Sequence, residues 1–302
     1  MASTTNSSSP VADMPYSQKL ALVNTNAMIT IKWIDEKTSQ PMTLSNVPKA
    51  MLLAFSASAK QYFATTPKHG NVYNLGTISG LSFGAVRYVV NALVATCRAR
   101  DGPNALLPAV YTDATDVLRH LKCLAAAKKL GLVRSVQYVY RGAAMDAVRA
   151  ADKVTGDDFD YFLHAFGSNK CNEPMLLRHI VNVVVFTELT DEEESPDTLH
   201  INKVVTSNRD LAVMKKAAEV EVHKKLTARK EMEEKRAAEK AAKQKSRLDY
   251  LDRKAKREAA QQKREAAKQK ARNGERALSE AEVNEMSKHA GPRTATISHK
   301  LR

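Results

Sequence analysis

His120 and Cys123 stand three residues apart, so on a helix an imidazole and a thiol share one face, as a cysteine nucleophile needs. Cys123 also falls on the apolar side of that helix with Leu121 and Leu124, which reads as a buried structural thiol. His164 and Cys171 flank the segment FGSNKC, but two more ligands would be needed to hold a metal, and none can be placed. Asp157, Asp158 and Asp160 form an acidic cluster without the glycine of a calcium loop. They suit a helix N-terminus, where carboxylates are favoured. Glycines occur in NLGTISG and LSFGAV, yet neither GxGxxG, GxxxxGK[ST] nor GxSxG is present. No cofactor is expected and no enzyme is read from the residues; a hydrolase on Cys123 and His120 is the weakest of three readings.

The other residues that could do chemistry are cations. The segment RKAKREAAQQKREAAKQKAR holds Arg253, Lys254, Lys256, Arg257, Lys263, Arg264, Lys268, Lys270 and Arg272. Such a run suits phosphate contacts through counterion release, or a nuclear import signal. Tyr250 is the one aromatic nearby, so base stacking is not expected. A zipper-type basic region needs a leucine heptad directly after it, and Asn273-Gly274 ends the helix instead. A solvated spacer without a nucleic-acid role remains open beside these readings.

The 302 residues carry 47 Lys and Arg against 33 Asp and Glu, a net charge of +14. That excess is local. Residues 1–200 hold 19 basic and 18 acidic residues, whereas residues 209–272 hold 22 and 11. The positive field belongs to one segment, and only that segment invites an anionic partner. Cys97, Cys123 and Cys171 show no CxxC spacing, which excludes a disulfide scaffold and a zinc ribbon. The apolar run IVNVVVF falls far short of the about 20 residues that span a bilayer. MASTTNSSSP lacks the features of a secretory signal. The expectation is an intracellular protein, nuclear or cytoplasmic or both, with no membrane partner.

Between Asp197 and Asn273 there is neither Gly nor Pro, and Ala, Lys, Arg, Glu and Gln dominate. These strong helix formers predict a helix over 208–272, about 95 Å long if unbroken. Glu221/Lys225, Glu231/Lys235, Glu239/Lys243 and Asp249/Arg253 are acid-first pairs four apart. Leu248, Leu251 and Ala255 fit a heptad, but Glu258, Gln262 and Glu265 break it. A solvent-exposed isolated helix, a weak or partner-induced coiled coil, and disorder all stay open.

Ahead of it lies the globular part. MITIKWIDE alternates Ile29, Ile31 and Trp33 with Thr30 and Lys32, a period-two strand. After the turn KTSQP, MTL reads as a second strand. PKAMLLAFS presents Met51, Leu52 and Phe55 on one helical face, and SASAKQYF gathers Ala59, Tyr62 and Phe63. NVYNL is a third strand. The next helix has Ser82 as N-cap and Phe83, Val86, Val90 and Leu93 at helical spacing. A Gly/Pro loop follows at 101–108. Asp113–Leu132 is an amphipathic helix closed by Gly131. Phe55, Tyr62, Phe63, Phe83 and Tyr88 are read as core.

These residues resemble BTB/POZ domains. SNVPKAMLLAFSASAKQYF is similar to the stretch where a first helix, hxxhLxxxS, leads into a short helix ending in YF. Leu52 or Leu53, Ser56 or Ser58, Tyr62 and Phe63 occupy those places. NVYNL with SFGAVRYVVNAL resembles the family's strand-then-helix, and DVLRHLKCLAAAKKLGL its last helix. Ser45-Asn46-Val47-Pro48 stands where the family's first helix starts with an acidic residue and a His. The long loop Arg98–Pro108 is similar to that of fungal members. The resemblance covers about 28–140 and implies a domain that dimerises or adapts substrates to cullin-type ubiquitin ligases.

The expected class is α+β: a small BTB/POZ-like sheet with a helical cluster, a helical extension, and a long solvent-exposed charged helix. The expected order is a disordered 1–15, the domain at 16–140, the extension at 141–190, an acidic linker at 191–207, the basic helix at 208–272 and a disordered 273–302. In the extension, Leu176, Leu177, Ile180, Val181, Val184 and Val185 form an apolar face. The leading expectation is a protein–protein adaptor that holds a partner, or a second copy of itself as a dimer, through residues 16–200. The alternative is an RNA- or ribosome-associated factor that binds nucleic acid non-specifically through 208–272.

Overall fold

The structure, a computed structural model, describes residues 11, 14–65, 70–100, 116–167, 171–190, 195–272 and 279–288. It divides into two compact units, Met1–Leu226 and Thr227–Arg302. The class is α+β, with a three-stranded sheet among many helices.

In the first unit, α1 (Tyr16–Val23) precedes β1 (Met28–Asp35) and β2 (Pro41–Pro48). The period-two pattern of β1 buries Ile29, Ile31 and Trp33 on one face. β2 pairs with it antiparallel, Ile31 opposite Leu44 and Trp33 opposite Met42. Register shifts between Ile29 and Ile31, where Asn46 takes φ +60°, a left-handed value that Asn tolerates better than most residues. The chain then makes α2 (Lys49–Phe55) and α3 (Ala57–Thr65) and returns as β3 (Val72–Ile78), parallel to β1, giving the order β2-β1-β3. A parallel return requires a crossover, and the helix pair supplies it.

α4 (Phe83–Arg98) and α5 (Val117–Lys129) bury the faces their spacing predicts, including Val86, Val90, Leu93, Leu121 and Leu124. Of the residues read as core, Phe55 is fully buried and Tyr62, Phe63 and Tyr88 partly so. Phe83 is a correction: it is 36% exposed, because it opens α4 at the surface and stacks on Trp33 at 6.2 Å. The Gly/Pro loop at 101–108 lies outside the described residues.

Ser56 ties the helix pair to α5. Its hydroxyl donates to the Leu130 carbonyl at 2.6 Å and accepts from the Ala59 amide at 2.9 Å, so it also caps α3. Gly131, at φ +63°, lets the chain turn there, and its carbonyl accepts from the Ala57 amide at 3.1 Å.

The extension holds α6 (Arg134–Ala150), α7 (Gly156–Phe166) and α8 (Pro174–Thr190). The six apolar residues expected on α8 are all buried. Two boundaries differ from expectation. Residues 196–207, read as linker, form α9 (Pro196–Ser207), capped by Ser195, with Ile201 and Val205 buried. The acidic residues 191–194 lie outside the described residues. The basic helix is α10 (Arg209–Arg272), but its first turns belong to the body: Leu211, Ala218 and Val222 are buried there.

In the second unit, the tail expected to be disordered contains α11 (Glu280–Lys288), started by Ser279 and Glu282, which exchange side-chain-to-backbone hydrogen bonds. Residues 273–278 and 289–302, like 1–10, are outside the described set. Among the described residues, no helix is long and apolar enough to cross a membrane.

Candidate functional site

His120 and Cys123 do share a face of α5, and that face is interior: they are 3% and 1% exposed. Burial pushes the Cys123 thiol up to about 12, against the thiolate a nucleophile requires. Cys97 on α4 is raised the same way, to about 11. His164 and Cys171 have separate partners. Ser79 Oγ lies 3.0 Å from one His164 ring nitrogen and donates to the His164 carbonyl at 2.9 Å, while Cys171 Sγ accepts from the Glu173 amide. Among the described residues, no group of three His, Cys, Asp or Glu could hold a metal ion.

The acidic cluster serves helix starts. Thr155 and Asp158 form a reciprocal capping box on α7. Asp160 meets His200 of α9 at 2.9 Å, and Asp197 accepts from the Gly156 amide at 2.9 Å.

These contacts border an open cleft of 760 Å³ where the end of β1, the start of β2, the start of α4, α5 and α7 converge. Met42, Leu81, Phe83 and Leu118 contribute apolar surface. Asp35, Lys37, Lys122, Asp157, Asp160 and His164 supply both charges. Tyr161 also lines it, and its hydroxyl is held by donation to the Gly80 carbonyl at 2.6 Å. The Thr38 hydroxyl donates to Asp35 at 2.6 Å and holds that carboxyl below its ordinary value. Sequence analysis singles out Asp157, Asp160, His164 and Phe83 separately, but not their convergence, because the lining residues are spread between positions 35 and 164.

The predicted cations lie on α10 in the second unit. Arg253, Lys254, Lys256, Arg257, Lys263, Lys268, Lys270 and Arg272 are exposed, and Arg264 is half-buried. Of the acid-first pairs, Glu221/Lys225 closes at 2.8 Å; further along, Lys256 meets Asp252 at 2.9 Å and Lys254 reaches Glu258 at 3.8 Å. A groove of 450 Å³ along one side of the helix is lined by four alanines, Ala259, Ala260, Ala266 and Ala267, with Lys256, Lys263, Arg264, Lys270, Glu282 and Glu285.

Comparison of the chain with protein-family models, characterised proteins and solved structures finds no match. The functional reading therefore rests on the residues and their arrangement.

Proposed function

We propose that this protein is a non-enzymatic adaptor whose first unit, BTB/POZ-like over residues 28–140, captures a protein partner or a second copy of itself. The cleft between β1, β2, α4, α5 and α7 carries the reading. Its lining combines the apolar Met42, Leu81, Phe83 and Leu118 with acidic and basic side chains. Apolar burial at such a surface supplies affinity, and the charges supply orientation and reject wrong partners. The family assignment is supported by the order β1, β2, α2, α3, β3, α4, α5 and by the Ser56 staple in the matching motif.

Capture of partners by the full chain, compared with Phe83→Asp and Leu118→Asp, tests this. The expected result is one partner, or a dimer seen by light scattering, that both variants lose while their circular dichroism is unchanged. Equal retention by both variants overturns the cleft as the docking site.

One observation favours a second reading, nucleic-acid binding by α10: residues 209–272 carry 22 basic residues against 11 acidic, and most of the distal cations are exposed. Phosphate contacts there would be salt-sensitive and blind to sequence.

A further inference from the structure

We infer that one side of distal α10 is a phosphate track for double-stranded RNA; this rests on the nucleic-acid reading of that helix. At about 100° per residue, Lys243, Arg253, Arg257, Arg264, Lys268 and Arg272 fall within about 100° of arc. Lys254 and Tyr250 fall in the same arc. The acids between 243 and 272 are Asp249, Asp252, Glu258 and Glu265, and none of them does. The track is about 43 Å long at 1.5 Å per residue.

The other cations of the segment are differently placed. Lys256, Lys263 and Lys270 recur every seventh residue on another side and line the groove together with its alanines and with Glu282 and Glu285 of α11. Lys256 is also paired with Asp252. That side carries carboxylates of its own chain. On the track, Lys254 reaches Glu258 at 3.8 Å, while Arg253, Arg257 and Lys268 make no ion pair among the described residues. Arg264, at the border, also lines the groove.

The flanking acids select how the partner lies. In a B-form major groove, about 12 Å wide, Glu258 and Glu265 on one flank and Asp249 on the other would face phosphate walls. The helix can instead lie along outer phosphates. An A-form duplex has a major groove that side chains cannot read, so it is recognised from outside by backbone and shape. A lone aromatic, Tyr250, offers no stacking platform for a single strand. An anionic membrane needs a broad face of large apolar residues, and the apolar residues lining the groove here are alanines interleaved with Lys256, Lys263 and Lys270.

The test measures binding of the full chain to a 24-base-pair RNA duplex at 50 and 200 mM salt. One variant joins Arg253→Gln, Arg257→Gln, Lys268→Gln and Arg272→Gln. A control of equal charge loss joins Lys245→Gln, Lys256→Gln, Lys263→Gln and Lys270→Gln. Both keep helicity by circular dichroism. The track variant is expected to bind about tenfold or more weakly at low salt with a flatter salt dependence, and the control within about threefold of wild type. Equal losses by both overturn the track while the nucleic-acid reading stands. Failure of the wild type to bind any duplex at 50 mM salt overturns that reading as well. A DNA duplex, anionic vesicles or polyglutamate bound as tightly as RNA overturns the choice of RNA.

Discussion

Arg141 grips Glu173 with two hydrogen bonds, Nε to Oε2 at 2.6 Å and Nη2 to Oε1 at 2.7 Å, across α6 and the start of α8. Lys128 of α5 adds a third, 2.7 Å to Oε1. The Glu173 side chain is 2% exposed, so three helices meet at one buried carboxylate. Removing it leaves two cations that are 29% and 21% exposed and can regain some water. Glu173→Ala should therefore cost about 2–3 kcal/mol by chemical denaturation. Burial pushes this carboxyl up, and the bonds from Arg141 and Lys128 outweigh it, leaving it below the ordinary 4.5. A lowered folded value gives stability that is present above the unfolded value and lost as pH falls through the folded one. The gap between wild type and Glu173→Gln should shrink as pH falls from 6 toward 3, and a constant gap would contradict the assignment.

Gly131 and Gly76 separate backbone strain from crowding. Both have positive φ, +63° and +77°. A Cβ at Gly131 would overlap Ser58, whereas one at Gly76 meets nothing within 4 Å. Gly76→Ala should cost about 1–2 kcal/mol, the left-handed backbone alone. Gly131→Ala adds the clash and should cost about 2–4 kcal/mol. Equal thermal shifts would show that the junction between α3 and α5 can give way.

Truncation should locate the end of the body. Among the described residues after Val222, none is buried. A chain ending at residue 226 should match full-length stability to within about 0.5 kcal/mol. Ending at residue 208 removes Leu211, Ala218 and Val222 and the Lys215–Glu188 pair at 2.9 Å. The cost expected from that buried area is about 3–6 kcal/mol. The single Trp, Trp33, is 1% exposed and reports unfolding by fluorescence in both chains.

Thiol alkylation should follow burial. Cys97 and Cys123 are buried, with thiols pushed up to about 11 and about 12, and Cys171 is half-buried, its thiol also raised by burial. In the native protein at pH 8, mass spectrometry should find Cys171 modified first, and the other two only on unfolding. Early labelling of Cys123 would reopen a role for it beside His120.

Much of this molecule is local in origin. Alternation marked β1, helical spacing marked the buried faces of α4, α5 and α8, and 64 residues of good helix formers without Gly or Pro marked α10. Period and propensity are properties of neighbours along the chain, so the sequence carries them. The distal cations were legible for the same reason. The parallel pairing of β1 with β3, the Glu173 cluster and the Ser56 staple join residues far apart in the chain, and no local pattern encodes which will meet. α9 and the first turns of α10 are ordinary polar helices until the body buries Ile201, Val205 and Leu211. The cleft is the furthest from sequence: Phe83 has the spacing of a core residue, and only the packing of five elements leaves it at the surface.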